Sequence, residues 1–118
     1  MKDQRKLSYR LGLCRVDPSD NSVVFQSKTN MNESAIDQTK LSLQPKFIEV
    51  LNVLARNYPE VVTRDELIAQ VWDGNSYVGA KALTNAIWHL RQQLSLLADV
   101  GAVIETVRIT GYRLLIEP

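Results

Sequence analysis

The sequence predicts an α+β domain with antiparallel strands first, three helices next and a β-hairpin last. Three observations carry that order. Short apolar runs broken by turn-formers fill the first third, apolar stripes at helical spacing run from Gln44 to Leu97, and two strand-like runs flank Arg108-Ile109-Thr110-Gly111.

In the first third, Tyr9–Val16 and Val23–Gln26 are separated by Asp17-Pro18-Ser19-Asp20-Asn21, a dense cluster of turn-formers, which predicts an antiparallel hairpin. Residues 27–38 are polar and aperiodic, as expected of a mobile loop, and a third strand follows near Thr39–Leu43. From Gln44 to Tyr58, Phe47, Leu51, Leu54, Ala55 and Tyr58 make one helical stripe. Pro45 fits the first turn, where its missing N–H had no intrahelical partner, and Pro59 ends the helix. Thr63-Arg64-Asp65-Glu66 has the form of a capping box, in which hydroxyl and carboxylate each satisfy the other residue's backbone donor. Leu67, Ile68, Val71 and Trp72 supply the buried face of this second helix, and Asp73-Gly74-Asn75 end it. The short connection permits a helix-turn-helix geometry.

The third helix, Ala80 to Leu97, carries Leu83, Ile87, Leu90, Leu94 and Leu97 in a narrow inward stripe. Geometry then fixes the opposite face: Lys81, Asn85, Trp88 and Gln92, flanked by Thr84, His89, Arg91 and Ser95. Val103–Val107 and Tyr112–Glu117 follow as strands, with Gly111 offering freedom for a positive φ in the turn.

A length of 118 residues fits one domain and excludes a two-domain enzyme. With 45% apolar and 23% charged residues, the chain is of the soluble globular class. The net charge of +1 gives no whole-molecule reason to expect nucleic acid or a membrane, but it is a sum over unlike segments. Residues 1–16 sum to +4, residues 17–74 to −4 and residues 75–118 to +1, and no acid lies between Asn75 and Ala98. The single Cys14 cannot form an internal disulfide and no apolar leader follows Met1, so a reducing, cytoplasmic setting is expected. The apolar runs fall far short of the ~20 residues a bilayer span needs, so no membrane contact is expected within these residues.

The inventory is poor in catalytic groups. His89 and Cys14 are far apart in sequence with no motif joining them, His89 has no metal-ligating neighbours at helical spacing, and no glycine-rich phosphate loop is present. Neither an enzyme nor a cofactor or metal is expected. An acid-free helix face with Lys81, Asn85, His89 and Arg91 instead offers what base edges and phosphates need, since Asn pairs bidentately with adenine while Lys, Arg and His donate to guanine or phosphate. Trp88 on that face calls for something to pack on: deoxyribose, a thymine methyl, a partner protein, or a neighbouring element if the ring folds over. His89 is open to the plainer reading of an idle surface residue. Arg108 and Arg113 flank the hairpin turn, where a protruding tip would carry a cation into a narrow minor groove, the plainer reading being solvated hairpin arginines.

Several spaced motifs now resemble a known family. Leu43-Gln44-Pro45-Lys46-Phe47, Leu54-Ala55-Arg56-Asn57, Val62 to Leu67, Val71-Trp72, Leu83 to Leu90-Arg91, and Thr106 to Leu114 are similar to the OmpR/PhoB-type winged helix-turn-helix DNA-binding domain, over about residues 9–117. The resemblance implies a four-stranded N-terminal sheet, a three-helix core with the third helix in the major groove, and a C-terminal β-hairpin wing on the minor groove. It places Lys81, Thr84, Asn85 and His89 at bases or nearby phosphates, Trp88 and Arg91 at the backbone, and Arg108, Thr110 and Tyr112 in the wing. It also aligns Trp72–Tyr77 with a loop that touches RNA polymerase in some members, and allows two copies to pair on DNA. Gln44 departs from the usual Ser or Thr helix cap, and Ala86 and Trp88 replace polar or basic residues. The order of parts looks like the ToxR/CadC-like one-component regulators of bacteria. The expectation is therefore a fragment: a flexible basic arm at 1–8, the DNA-binding domain at 9–118, and an inner-membrane anchor beyond, with the domain on the cytoplasmic side. The competing reading is a winged-helix protein-interaction module anchored by Trp88.

Overall fold

Along β2 (Cys14–Asp17), Cys14 and Val16 are buried while Arg15 is exposed, the alternation of a sheet with one face on a core. The computed structural model describes residues 7–12, 14–26, 38–98 and 103–118. In it, β1 (Tyr9–Leu11), β2, β3 (Ser22–Gln26) and β4 (Gln38–Ser42) form an antiparallel four-stranded sheet in sequence order. Tyr9 pairs with Val16, Val16 with Val23, and Val23 with Leu41.

The single strand expected over Tyr9–Val16 is in fact two. The chain turns at Gly12, whose φ of 63° suits glycine, and Leu11 sits opposite Cys14. Hydropathy does not mark the reversal because Leu11, Leu13 and Cys14 are all apolar. The strand expected as the third is therefore the fourth. The loop expectation for 27–38 falls outside the described residues apart from Gln38, as does the arm apart from Leu7 and Ser8.

Helix α1 (Pro45–Arg56) begins without a side-chain cap from Gln44, in keeping with the departure noted in the sequence; the Gln44 carbonyl accepts from the Phe47 and Ile48 N–H groups at 2.9 and 3.2 Å. Its burial is wider than one stripe, with Phe47, Ile48, Val50, Leu51, Val53 and Leu54 all inside. Contacts with α2 and α3 cover part of that surface, and Tyr9 of β1 reaches it from the N-terminal sheet. The Tyr9 hydroxyl donates to Asn52 Oδ1 at 2.8 Å and satisfies that buried amide oxygen. Burial pushes the Tyr9 phenol upward against the opposing charge of Arg56, so it stays a neutral donor.

Helix α2 (Arg64–Val71) starts where Thr63 Oγ1 accepts from the Glu66 N–H at 3.0 Å. The reciprocal half of the expected capping box is replaced: Glu66 Oε2 accepts from Gln70 Nε2 at 2.8 Å. Lys46 of α1 donates to the Val71 carbonyl at 2.7 Å, closing the far end of α2 with a cation. Helix α3 (Ser76–Ala98) starts one turn earlier than expected. Asn75, read as a terminator of α2, is its cap, accepting through Oδ1 from the Val78 N–H at 3.3 Å. Leu83, Ile87, Leu90 and Leu94 are buried as the stripe predicts, and the side chain of Leu97 lies outside the described set. Ala86 is also fully buried, so its small size is a core requirement and not a change on a reading surface.

The terminal hairpin, β6 (Ile104–Val107) and β7 (Gly111–Leu114), gains a third strand that the sequence reading placed in the inter-helix connection: β5 (Val62–Thr63) pairs with β7 on its free side. Gly111 faces Thr63 there, and a Cβ on it would overlap the Val62 carbonyl oxygen. The glycine serves close strand approach. The positive φ expected at Gly111 falls on Ile109, at 68°.

Candidate nucleic-acid interface

The outward face of α3 presents Lys81, Thr84, Asn85, Trp88, Gln92 and Ser95 to solvent. Trp88 is 57% exposed, which settles that its ring does not fold onto a neighbouring element. His89 is half-buried. Its ring stacks on Phe47 of α1, with centroids 5.2 Å apart and planes at 15°, and meets Trp88 edge-on at 4.9 Å. Phe47 belongs to the core, so this aromatic ladder holds Trp88 in a defined pose. His89 is part of the support and not an idle surface residue.

Arg91 has a different commitment from the expected backbone docking. Its Nε and Nη2 donate to the Ile104 carbonyl at 3.2 and 3.0 Å, and Nη2 donates to Thr106 Oγ1 at 2.7 Å. The guanidinium binds β6 to α3. Arg64, which the sequence reading took only as part of a cap, makes the second such link. Its Nη1 donates to the Tyr112 hydroxyl at 2.9 Å, and its Nη2 donates to the Ala80 carbonyl at 2.9 Å and to Thr84 Oγ1 at 3.3 Å. Its backbone N–H reaches the Thr110 carbonyl at 3.3 Å. One residue at the start of α2 thus touches the recognition face, strand β7 and the turn of the hairpin. No local pattern signals this, because Tyr112 is 48 positions away in sequence.

The hairpin sorts its own residues. Tyr112 is buried on β7 with its hydroxyl turned to Arg64, so it lies in the core side of the wing and not on its surface. Arg113 pairs with Glu105 directly across the strands, which compensates its charge. Arg108, Ile109 and Thr110 form the exposed tip, and among the described residues the Arg108 guanidinium has no ion-pair or hydrogen-bond partner. At the other end of α3, Ser76 and Tyr77, read as the end of a loop, are the helix's first turn. Tyr77 is 94% exposed, while Trp72 packs partly against the core. Ile109 escaped the sequence reading of the site because exposure in a turn has no hydropathy signature.

An open cleft of about 390 Å³ lies between the β2–β3 turn, α1 and the end of α2, and no residue of α3 or the hairpin lines it. Among the described residues, no group of three or more His, Cys, Asp or Glu is placed to hold a metal ion. No helix among them is long and apolar enough to cross a membrane.

The profile of the family described as "Transcriptional regulatory protein, C terminal" matches residues 38–114. The transcriptional activator CadC of Escherichia coli is 34% identical over 88 residues, covering 74% of this chain and 17% of CadC. An uncharacterized transcriptional regulatory protein of Bacillus subtilis, YvcP, is 29% identical over 84 residues, covering 71% of this chain and 35% of YvcP. The chain therefore spans about a third or less of these relatives' length. Among solved structures, the DNA-binding domain of Escherichia coli CadC superposes with a TM-score of 0.71 at 34% identity, covering 92% of this chain and 91% of that one.

Proposed function

The chain belongs to the family of transcriptional regulatory protein C-terminal domains, the OmpR/PhoB type, and from that premise we propose that it reads duplex DNA as the sequence-specific binding domain of a bacterial transcriptional regulator. One observation carries the reading. The acid-free outward face of α3, with Lys81, Thr84, Asn85 and Trp88, is tied through Arg64 to an exposed hairpin tip carrying Arg108. An α-helix with its side chains is about 10–12 Å across and the major groove about 12 Å wide, so α3 fits the groove lengthwise.

In this reading Asn85 addresses a base edge, Lys81 a base edge or a nearby phosphate, and Thr84, whose Oγ1 accepts from Arg64, trades its bond to the Ala80 carbonyl for one to phosphate or base. Trp88 packs on sugar or a thymine methyl, supported by His89. Arg108 and Thr110 meet the minor groove at the tip. Tyr112 and Arg91 act indirectly, by fixing the wing against α3, and Arg113 is largely neutralised by Glu105. The exposed corner around Trp72–Tyr77, with Tyr77 outermost, is where contact with RNA polymerase belongs, and two copies on adjacent half-sites complete the arrangement. The segment Leu83-Thr84-Asn85-Ala86-Ile87 with Leu90-Arg91 favours the membrane-anchored one-component branch, with this domain on the cytoplasmic side. A ~20-residue apolar span in the reading frame after Pro118 is the observation that tests this.

The decisive experiment is a titration of the 118-residue chain with random-sequence duplex, followed by selection of preferred sites. Contact with about 4–6 phosphates gives a log–log salt slope near −4 to −5. Asn85→Ala should relax base preference by about 1–3 kcal/mol at one position, whereas Arg108→Ala should weaken all sequences alike. Binding that ignores salt, or no binding at low salt, rejects the reading and returns Trp88 to the role of a protein anchor.

A further inference from the structure

The hairpin tip combines two features that are each unfavourable in the free protein. Ile109 is 97% exposed, more than any other large apolar residue among those described. It also holds a φ of 68°, in the left-handed region where a β-branched side chain is a genuine outlier. Glycine or asparagine would relieve both at once. A strained residue that also presents bare aliphatic surface is the pattern of a contact point completed by a ligand.

The surroundings narrow what that ligand is. The tip neighbours are Arg108, with an unengaged guanidinium among the described residues, and Thr110, whose carbonyl accepts from Arg64. Arg64 in turn holds Thr84 on the face of α3, so the tip and the recognition helix share one rigid support. A single apolar side chain between a cation and a hydroxyl is too small an area for a stable protein dimer. It does match a minor groove about 6 Å wide, which admits one branched aliphatic chain but not the body of a two-stranded hairpin.

Resting on the DNA-binding reading, we infer that Ile109 is an apolar wedge that enters the minor groove beside the α3 site and sets a sequence preference there. A·T pairs leave the groove floor free of the guanine amino group, and pyrimidine–purine steps unstack most readily, so the wedge favours flexible A·T steps such as TA. Arg108 beside it adds a sequence-independent attraction to the flanking phosphates.

The test uses Ile109→Asn and Ile109→Gly, both at ease with positive φ, and a 30-base-pair duplex that the wild-type chain enriches from a random pool. A second duplex replaces the wing-facing A·T steps by G·C. Both variants should melt at or above the wild-type temperature yet bind the enriched duplex about tenfold more weakly, the equivalent of partly burying one isoleucine side chain. Their salt slope should equal that of the wild type, since no charge is lost. Only the wild type should lose substantial affinity on the G·C duplex, and only it should bend the enriched duplex in an end-to-end energy-transfer measurement. Variants that bind and discriminate like the wild type overturn the wedge while leaving DNA binding intact, and so does a loss equal on both duplexes. Loss of self-association without loss of DNA affinity assigns the tip to a second copy and also overturns it. A wild-type chain that enriches no duplex fails the underlying reading instead.

Discussion

Replacing Arg64 by Met keeps the aliphatic stem and removes the guanidinium that joins α2, α3 and β7. The Tyr112 hydroxyl is the costly loss, because it is buried with Arg64 as its partner, and leaving it unsatisfied costs about 1–2 kcal/mol. The bonds to the Ala80 carbonyl and Thr84 Oγ1 are exposed and contribute together about 0.5 kcal/mol. The guanidinium lies 6.0 Å from the Tyr112 ring centroid, at the outer limit for a cation–π contact of about 0.5 kcal/mol. The sum is about 2–3 kcal/mol, or roughly 6–12 °C in melting temperature for a chain of this size. Urea unfolding of Arg64→Met, Tyr112→Phe and the double variant measures it. The phenylalanine variant should cost about 1 kcal/mol, and the double, which buries no orphaned hydroxyl, should be at least as stable as Arg64→Met, giving a coupling of about 1 kcal/mol or more. Strict additivity would refute the claim that this pair holds the wing in place.

Arg91→Ala should destabilise by about 1–2 kcal/mol and weaken binding to every duplex with an unchanged salt slope, because its guanidinium is engaged by Ile104 and Thr106; a slope reduced by about one unit would mean it reaches phosphate. Trp88→Ala should leave the urea midpoint nearly unchanged, the ring being mostly exposed, while lowering DNA affinity several-fold; a large stability loss would show that the ring seals the core. The Asp20 carboxyl is held below its ordinary value of 3.8 chiefly by the hydrogen bond from Ser22, helped by Lys40. Folding thus favours its ionised form, a contribution complete above pH 3.8 and lost as pH falls through the lower folded value, so Asp20→Asn should flatten that acid limb of stability and leave neutral pH behaviour alone.

What could be read from the sequence is what repeats locally. The stripe of Leu83, Ile87, Leu90 and Leu94 marks the core side of α3, and by geometry its outward face, from spacing alone. Helix α1 was harder, because a helix covered on several sides loses its stripe: Ile48, Val50 and Val53 are as buried as Phe47 and Leu51. Strand β5 is two residues long and exists only because β7 offers it an edge. The roles of Arg64 and Arg91 depend on partners 48 and 13–15 positions away, so their composition read simply as basic. Gly111 is likewise decided by a distant partner, since the need for a glycine there comes from the approach of Val62 on β5 and not from the turn, whose positive φ falls on Ile109.

That distinction between basic composition and available charge bears on how the domain would hold DNA. Residues 75–118 contain four cationic side chains: Lys81, Arg91, Arg108 and Arg113. Arg91 is bound to backbone and Thr106, and Arg113 to Glu105, which leaves Lys81 and Arg108 free among the described residues. Two phosphate contacts give a salt slope of only about −2. A slope near −4 to −5 therefore requires further cations, and the densest source is Lys2, Arg5 and Lys6 at the N-terminus. Removing residues 1–6 should lower the slope by about two to three units and weaken binding to all sequences, without altering the base preference proposed for Asn85. A truncated chain with an unchanged slope would place the missing contacts on the N-terminal sheet, where Arg10 and Arg15 are exposed, and would make that sheet part of the DNA-facing surface.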